Sequence, residues 1–165
     1  MKQYKIVFFQ QLSLLSPCLL RYSILGGIYL YAFRFTLPYP ALLFVFLVPF
    51  SLDILPTIIV HIQYLLKNWG ASFTIDTNKK MLYYKAKDID LKISFDDITG
   101  VQAVFSYGRR TGKFSFSRYR FYRIIYNGNN ELIVTCALVD NIENNLGELL
   151  PLKADTKFMV IAFLY

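Results

Sequence analysis

Residues Ala41–Leu66 read ALLFVFLVPFSLDILPTIIVHIQYLL, 26 positions with one formal charge, Asp53. Few folds can absorb such a run. A helix crossing a bilayer needs about 20 predominantly apolar residues, and only a helix or a closed barrel satisfies every backbone polar group in lipid. The run therefore predicts a membrane span over residues 41–66, with the rest of the chain arranged around it.

Charge is divided unevenly about that span. Residues 1–66 contain five charged side chains, Lys2, Lys5, Arg21, Arg34 and Asp53, and residues 67–165 contain the other twenty-four. The division predicts a membrane part over 1–68 and a soluble domain over 69–165. The net charge of +7 fits attraction to an anionic inner leaflet and the Lys/Arg excess of cytoplasmic segments. Nucleic acid is the less economical partner. Cys18 and Cys136 fall in dissimilar surroundings, so no disulfide and a reducing compartment are expected.

Cys18–Thr36 is the first span of a predicted hairpin, broken from the second by Leu37-Pro38-Tyr39-Pro40. Gly26 and Gly27 would let another helix approach closely, within the hairpin or in a homo-oligomer. Met1–Leu20 opens like a signal peptide, but Gln10 and Gln11 interrupt its apolar run and no small-x-small site precedes Arg21. An interfacial lead-in, or the first turns of a long first helix, is expected there. Lysines flank both outer ends (Lys2 and Lys5; Lys67, Lys79, Lys80, Lys85 and Lys87) and the turn is uncharged. That bias predicts a multi-pass protein with both termini cytoplasmic.

Charges inside spans are costly and need partners. At 1.5 Å per helical residue, Arg21 and Asp53 lie roughly 24 and 20 Å from the turn, so an intramembrane Arg21–Asp53 pair is expected. Arg34 is placed to reach outward to the interface. Pro49 and Pro56 should bend the second helix on either side of Asp53. The same residues permit another reading, a small oligomeric transporter or channel subunit whose path uses Asp53, His61 and Arg21. Two helices alone cannot enclose a path.

Beyond Trp69 the hydrophobic period shortens to that of strands. Ser72–Asp76, Met81–Lys85, Ile98–Tyr107, Tyr119–Tyr126 and Leu132–Leu138 read as strands, and Ile89–Phe95 alternates strictly. Phe114 and Phe116 alternate with serines. Asp76–Lys80 is turn chemistry, and Asn127-Gly128 is a hairpin signal. Asp140 followed by Glu143 resembles a capping box, which predicts a short helix over Asn141–Leu150. Phe158–Tyr165 is too short to span and reads as a packed strand or terminal helix. The fold expected is α+β: a transmembrane helical hairpin followed by six or seven antiparallel strands, curved or closed into a partly open barrel, with a short helix near the end.

The helical hairpin, the continuation HIQYLLKN, a strand opening on FTID and then KISFDDITGV at 92–101 together resemble bacterial PH-like membrane proteins, including those called YcxB-like. The resemblance covers roughly residues 41–150. It implies a pleckstrin-homology-like domain on the cytoplasmic side of the inner membrane, and it carries no catalytic residue and no phosphoinositide ligand.

The residues agree that no enzyme is expected. His61 is the only histidine, so no Ser-His-Asp or Cys-His arrangement is available. Two cysteines and one histidine lack zinc-ligand spacing, and Gly108–Gly112 lacks the ending of a phosphate-binding loop. No metal or cofactor is expected. The unusual surface stretch is 109–123, where Arg109, Arg110, Lys113, Arg118, Arg120 and Arg123 interleave with aromatics and no acid intervenes. It reads as a solvated hairpin with core aromatics, as an anionic-lipid contact, or as a single-stranded nucleic-acid platform. The function expected is binding or scaffolding at the membrane, toward a protein partner or anionic headgroups.

Overall fold

A computed structural model of the chain describes residues 1–33, 40, 44, 47, 48, 50–106, 114–139, 155–159 and 161–164. Strand β1 (Lys2–Lys5) leads into helix α1 (Phe8–Phe33). A π-helical turn (Phe50–Ile54) opens directly into helix α2 (Leu55–Lys67). Then follow β2 (Ser72–Asp76), β3 (Met81–Ala86), β4 (Ile89–Ser94), β5 (Ile98–Ser106), a 3-10 turn (Ser115–Arg118), β6 (Arg120–Tyr126), β7 (Asn130–Thr135) and β8 (Asp155–Met159).

The strands make two four-stranded sheets, ordered β1-β2-β3-β4 and β7-β6-β5-β8. The first is antiparallel throughout. In the second, β8 runs parallel to β5, with Gln102 opposite Asp155 and Ser106 opposite Met159. The two sheets face each other across a core and close no barrel among the described residues, and the all-antiparallel expectation fails at β8.

Turn chemistry sets the hairpins. Asp76 Oδ1 accepts from the backbone N–H of Asn78 and Lys79, both at 3.2 Å, which closes the β2–β3 connection as an Asx turn. Asn127 and Gly128 adopt φ of 47° and 85°, the left-handed pair that an Asn-Gly hairpin demands.

The second sheet is buried on both faces. Val101, Ala103, Phe105, Tyr122, Ile124 and Val134 pack toward Phe73, Ile75, Leu82 and Ile93 of the first sheet. Val104, Phe121 and Cys136 point the other way and meet Val60 and Tyr64 of α2, with Leu14 of α1 packed alongside. Successive strand residues face opposite sides, so a sheet covered twice needs apolar residues at nearly every position. That is why β5 to β7 carry apolar residues at successive positions, as in Ala103-Val104-Phe105, Ile124-Ile125 and Leu132-Ile133-Val134, while β4 alternates.

Lys2–Lys5 is a strand, not part of a helix. It pairs with β2, Lys2 opposite Ile75 through Lys5 opposite Ser72, so the division at residue 68 is crossed by the N-terminal strand. The first helix begins at Phe8, ahead of the expected span start at Cys18, so Phe8–Leu20 forms the first turns of one long helix, as one of the two readings of Met1–Leu20 expects. Phe114 to Ser117 alternates in sequence yet forms a 3-10 turn, with Ser115 and Ser117 buried. Cys18 and Cys136 are buried and not joined by a disulfide. The last apolar run divides: residues up to Met159 belong to β8, and Ala162 is buried against α2 and the second sheet. The predicted helix at Asn141–Leu150, the tight turn, Arg34 and Pro49 lie outside the described residues.

The π-helical turn has a local cause. Pro56 has no N–H to donate to the carbonyl four residues back, and a widened turn is one way a helix accommodates that loss. Beyond α2, Asn68 ties the helix to both sheets. Its N–H bonds the Tyr64 carbonyl at 3.3 Å. Its Oδ1 accepts from Thr135 N (3.1 Å) and Thr135 Oγ1 (2.6 Å) on the second sheet, and its Nδ2 donates to the Tyr84 hydroxyl (3.3 Å) on the first. Asn68 is fully buried. Replacing it with Ala leaves the Thr135 groups unsatisfied, so N68A should lower unfolding free energy by about 2–3 kcal/mol, read as a lower denaturant midpoint with an unchanged slope. A loss under about 0.5 kcal/mol would show that the joint is dispensable.

Candidate functional site

Helix α2 is amphipathic the wrong way round for a soluble protein. Asp53, Thr57, His61, Tyr64 and Asn68, spaced three or four apart, are buried. Leu55, Ile58, Ile59, Ile62 and Leu66, on the opposite face, are exposed. A helix packed on a soluble core buries its apolar stripe and shows its polar one. Here the polar stripe lies against the second sheet and the apolar one points away.

The buried stripe is satisfied residue by residue. Asp53 Oδ1 accepts from Ser115 N at 2.6 Å. Its Oδ2 accepts from Ser115 Oγ (3.0 Å) and the Tyr22 hydroxyl (3.2 Å), with Arg21 Nη1 at 3.6 Å. Thr57 Oγ1 donates to the Asp53 carbonyl at 2.6 Å. His61 Nδ1 lies 2.9 Å from the Tyr119 hydroxyl, and burial holds that phenol well above its ordinary pKa range, in its protonated form. The Tyr64 hydroxyl donates to the Ala162 carbonyl at 2.8 Å, and the Ala162 N–H donates to Ser106 Oγ at 2.9 Å. Edge-to-face ring contacts of Tyr64 with Tyr119 and Phe121 fill the space between. Helix α1 joins the seam through Gln10 Nε2 to the Cys136 carbonyl (2.9 Å) and Gln11 Nε2 to the Ala137 carbonyl (2.8 Å).

Arg21 and Asp53 are thus brought together, but Asp53 sits where helices and β domain meet, and its shortest bonds go to Ser115 of the domain. His61 serves the same seam. The basic stretch does not form one surface among the described residues. Arg118 is exposed at the end of the 3-10 turn, whereas Arg120 and Arg123 are half-buried in β6. Those two differ by three positions, so they leave the strand on opposite faces. Arg123 lies over the Phe121 ring, 5.6 Å from its centre. Arg109, Arg110 and Lys113 lie outside the described residues.

Two surfaces remain. One is the outer face of the helices: Phe8, Phe9, Leu12, Leu19, Leu20, Ile24 and Tyr31 of α1 are exposed, as is the α2 stripe. The sole charge within α1, Arg21, is drawn to Asp53. A Cβ added at Gly26 or Gly27 meets no described atom within 4 Å, so the described chain does not use them for close packing. The other is a cleft of about 620 Å³ where β1, the α2–β2 connection and the end of β3 converge, lined by Lys5, Ile6, Trp69, Gly70, Ala71, Ser72, Lys85, Ala86 and Lys87. Three lysines and no carboxylate line it, and Trp69 is 71% exposed beside it. Its chemistry suits an anionic group. Among the described residues no cluster of three or more His, Cys, Asp or Glu could hold a metal ion.

Sequence reasoning found Asp53 and its nearest cation but missed Ser115, Asn68, Tyr119 and the two glutamines as parts of one seam. Gln10 and Gln11 did leave a signal, as amides interrupting an apolar run with no local use.

A family model described as a PH domain matches residues 3–143. The matched segment begins inside β1 and includes both helices. No curated protein and no solved structure matches the chain.

Removing the Asp53 carboxylate strands the Ser115 N–H and hydroxyl. Asp53→Ala should cost about 3 kcal/mol. Asp53→Asn keeps an acceptor for Ser115 N and should cost about 1 kcal/mol. Denaturant unfolding of both variants checks the order; an equal cost would mean that charge, not hydrogen bonding to Ser115, governs the site.

Proposed function

The chain belongs to the PH-domain family, and on that premise we propose that it is a non-catalytic binding module held at a membrane by its two apolar helices. The observation that carries the proposal is the inverted polarity of α2, whose polar stripe is used up on the second sheet and whose apolar stripe is left outward. Full burial of a Leu or Ile side chain contributes about 1.5–3 kcal/mol, so five in one stripe on α2 favour an apolar medium strongly. Both α1 and the stretch Phe50–Lys67 are long and apolar enough to cross a membrane, by length and composition.

On this reading the lysine-lined cleft is where the domain meets anionic headgroups or an acidic segment of a membrane protein. The narrower kinship with YcxB-like proteins, the cytoplasmic placing of both termini and the bacterial inner membrane are parts of the same proposal. The transport reading has less support, because Asp53 and His61 fasten the helices to the 3-10 turn before β6 instead of lining a path.

Flotation with lipid vesicles tests the proposal. The full chain should rise with neutral vesicles and stay bound in high salt, because apolar burial is not screened. Anionic lipid should increase the bound fraction at low salt. Lys5→Gln, Lys85→Gln and Lys87→Gln together should reduce that increment about 10-fold or more, on about 1 kcal/mol per basic residue near the surface. A chain that stays at the bottom of the gradient with both vesicle types overturns the membrane reading.

A further inference from the structure

The two helices are long enough to span, yet the docked structure leaves little of them free to do so. Helix α1 is engaged with the β domain from Gln10, bonded to the Cys136 carbonyl, to Tyr22, bonded to Asp53, which is itself held by Ser115. Beyond Tyr22 it continues for eleven residues, to Phe33, or about 16 Å. A bilayer core is about 30 Å thick. The described part of α1 beyond the docked stretch covers about half of that thickness. From Asp53 to Asn68 the inner face of the second helix is covered by the β domain, by the 3-10 turn at Ser115, by Tyr119 and by β7 at Thr135. An upright hairpin with the domain resting on the headgroups would leave Leu55, Ile58, Ile59, Ile62 and Leu66, all on the docked stretch, in water.

Resting on the membrane reading above, we infer that the helical layer lies along the membrane side-on, sunk by its outer face into one leaflet. The layers then follow in order: lipid, helices, second sheet, first sheet, water. The outer face suits this seating along its whole length. Phe9, Leu20 and Tyr31 are exposed and eleven residues apart, three helical turns, so they line one side of α1. Leu55, Ile62 and Leu66 do the same for α2. Ser16 does not spoil the face for lipid: its Oγ donates to the Ser13 carbonyl at 3.2 Å, satisfied within its own helix. Lys5 and Lys67 are exposed where the helical excursion leaves β1 and returns toward β2, and Lys85 is exposed beside them, opposite Ser72, a cluster complementary to anionic headgroups. Trp69 stands exposed where α2 ends, the position an interfacial indole occupies.

Trp69 is the only tryptophan, so depth can be read by quenching with lipids brominated at defined carbons along the acyl chain. The full chain, bound to vesicles of neutral and anionic lipid, serves with its native Trp69. In a Trp69→Phe background, Phe9→Trp, Leu20→Trp, Tyr31→Trp and Ile62→Trp each place one indole on an exposed outer position. Side-on seating expects all four at one shallow depth, within about a helical turn, ~5 Å, and Trp69 close to them. Upright spanning expects a gradient instead, with Leu20→Trp and Tyr31→Trp about 16 Å apart in depth; that result overturns the inference and leaves membrane binding intact. Vesicle-bound protein with none of the four quenched also overturns it, since the domain would then bind by another surface. Absence from the vesicle fraction overturns the membrane reading itself.

Discussion

The structure depends on a polar stripe buried where an apolar one is usual. Asp53, Thr57, His61, Tyr64 and Asn68 face the second sheet, and each has a hydrogen-bonding partner within the protein. A buried polar group without a partner is expensive, whereas a satisfied network is specific in register and angle. This stripe can meet the sheet in few ways, because Ser115, Tyr119 and Thr135 must each fall opposite their own helix residue. Apolar packing alone would tolerate sliding; the carboxylate of Asp53 and the amide of Asn68, at the two ends of the stripe, do not.

That docking turns two apolar helices into a layer of the domain. They leave the chain between β1 and β2, which are neighbours in the first sheet, so the helical excursion is closed at its base by strand pairing and on its flank by the second sheet. The second sheet becomes an interior sheet, covered by the first sheet on one face and by helices on the other. The outer face of the helices is left apolar, and the lysines and Trp69 gather where the excursion returns to β2; the proposed lipid contact rests on these two features.

Much of the fold was legible along the chain. The strand period after Trp69, the Asx turn at Asp76 and the Asn-Gly hairpin are local signals, and local steric and hydrogen-bonding preferences enforce them. The Arg21–Asp53 proximity was legible because two charges in apolar helices have few places to go. Other features were not. Lys2–Lys5 is four residues with little pattern of its own, and its strand exists only because β2 offers an edge more than sixty residues away. Ser115 alternates with phenylalanines as a strand residue would, and becomes a 3-10 turn because Asp53 holds its backbone N–H. The basic stretch read as one surface in sequence, but strand alternation sends Arg120 and Arg123 to opposite faces.

By itself the sequence determined that two apolar helices precede a strand-rich domain, since length, hydropathy and period are properties of contiguous residues. It determined too that Asp53 needs a cation or donors nearby, since an isolated carboxylate in an apolar run is untenable. Only the tertiary structure decided which side of α2 faces inward, because periodicity reports that a helix has two unlike faces and is silent on which one the partner will choose. The choice rests on donors supplied from far along the chain, Ser115, Tyr119 and Thr135, whose positions exist only once the second sheet has formed.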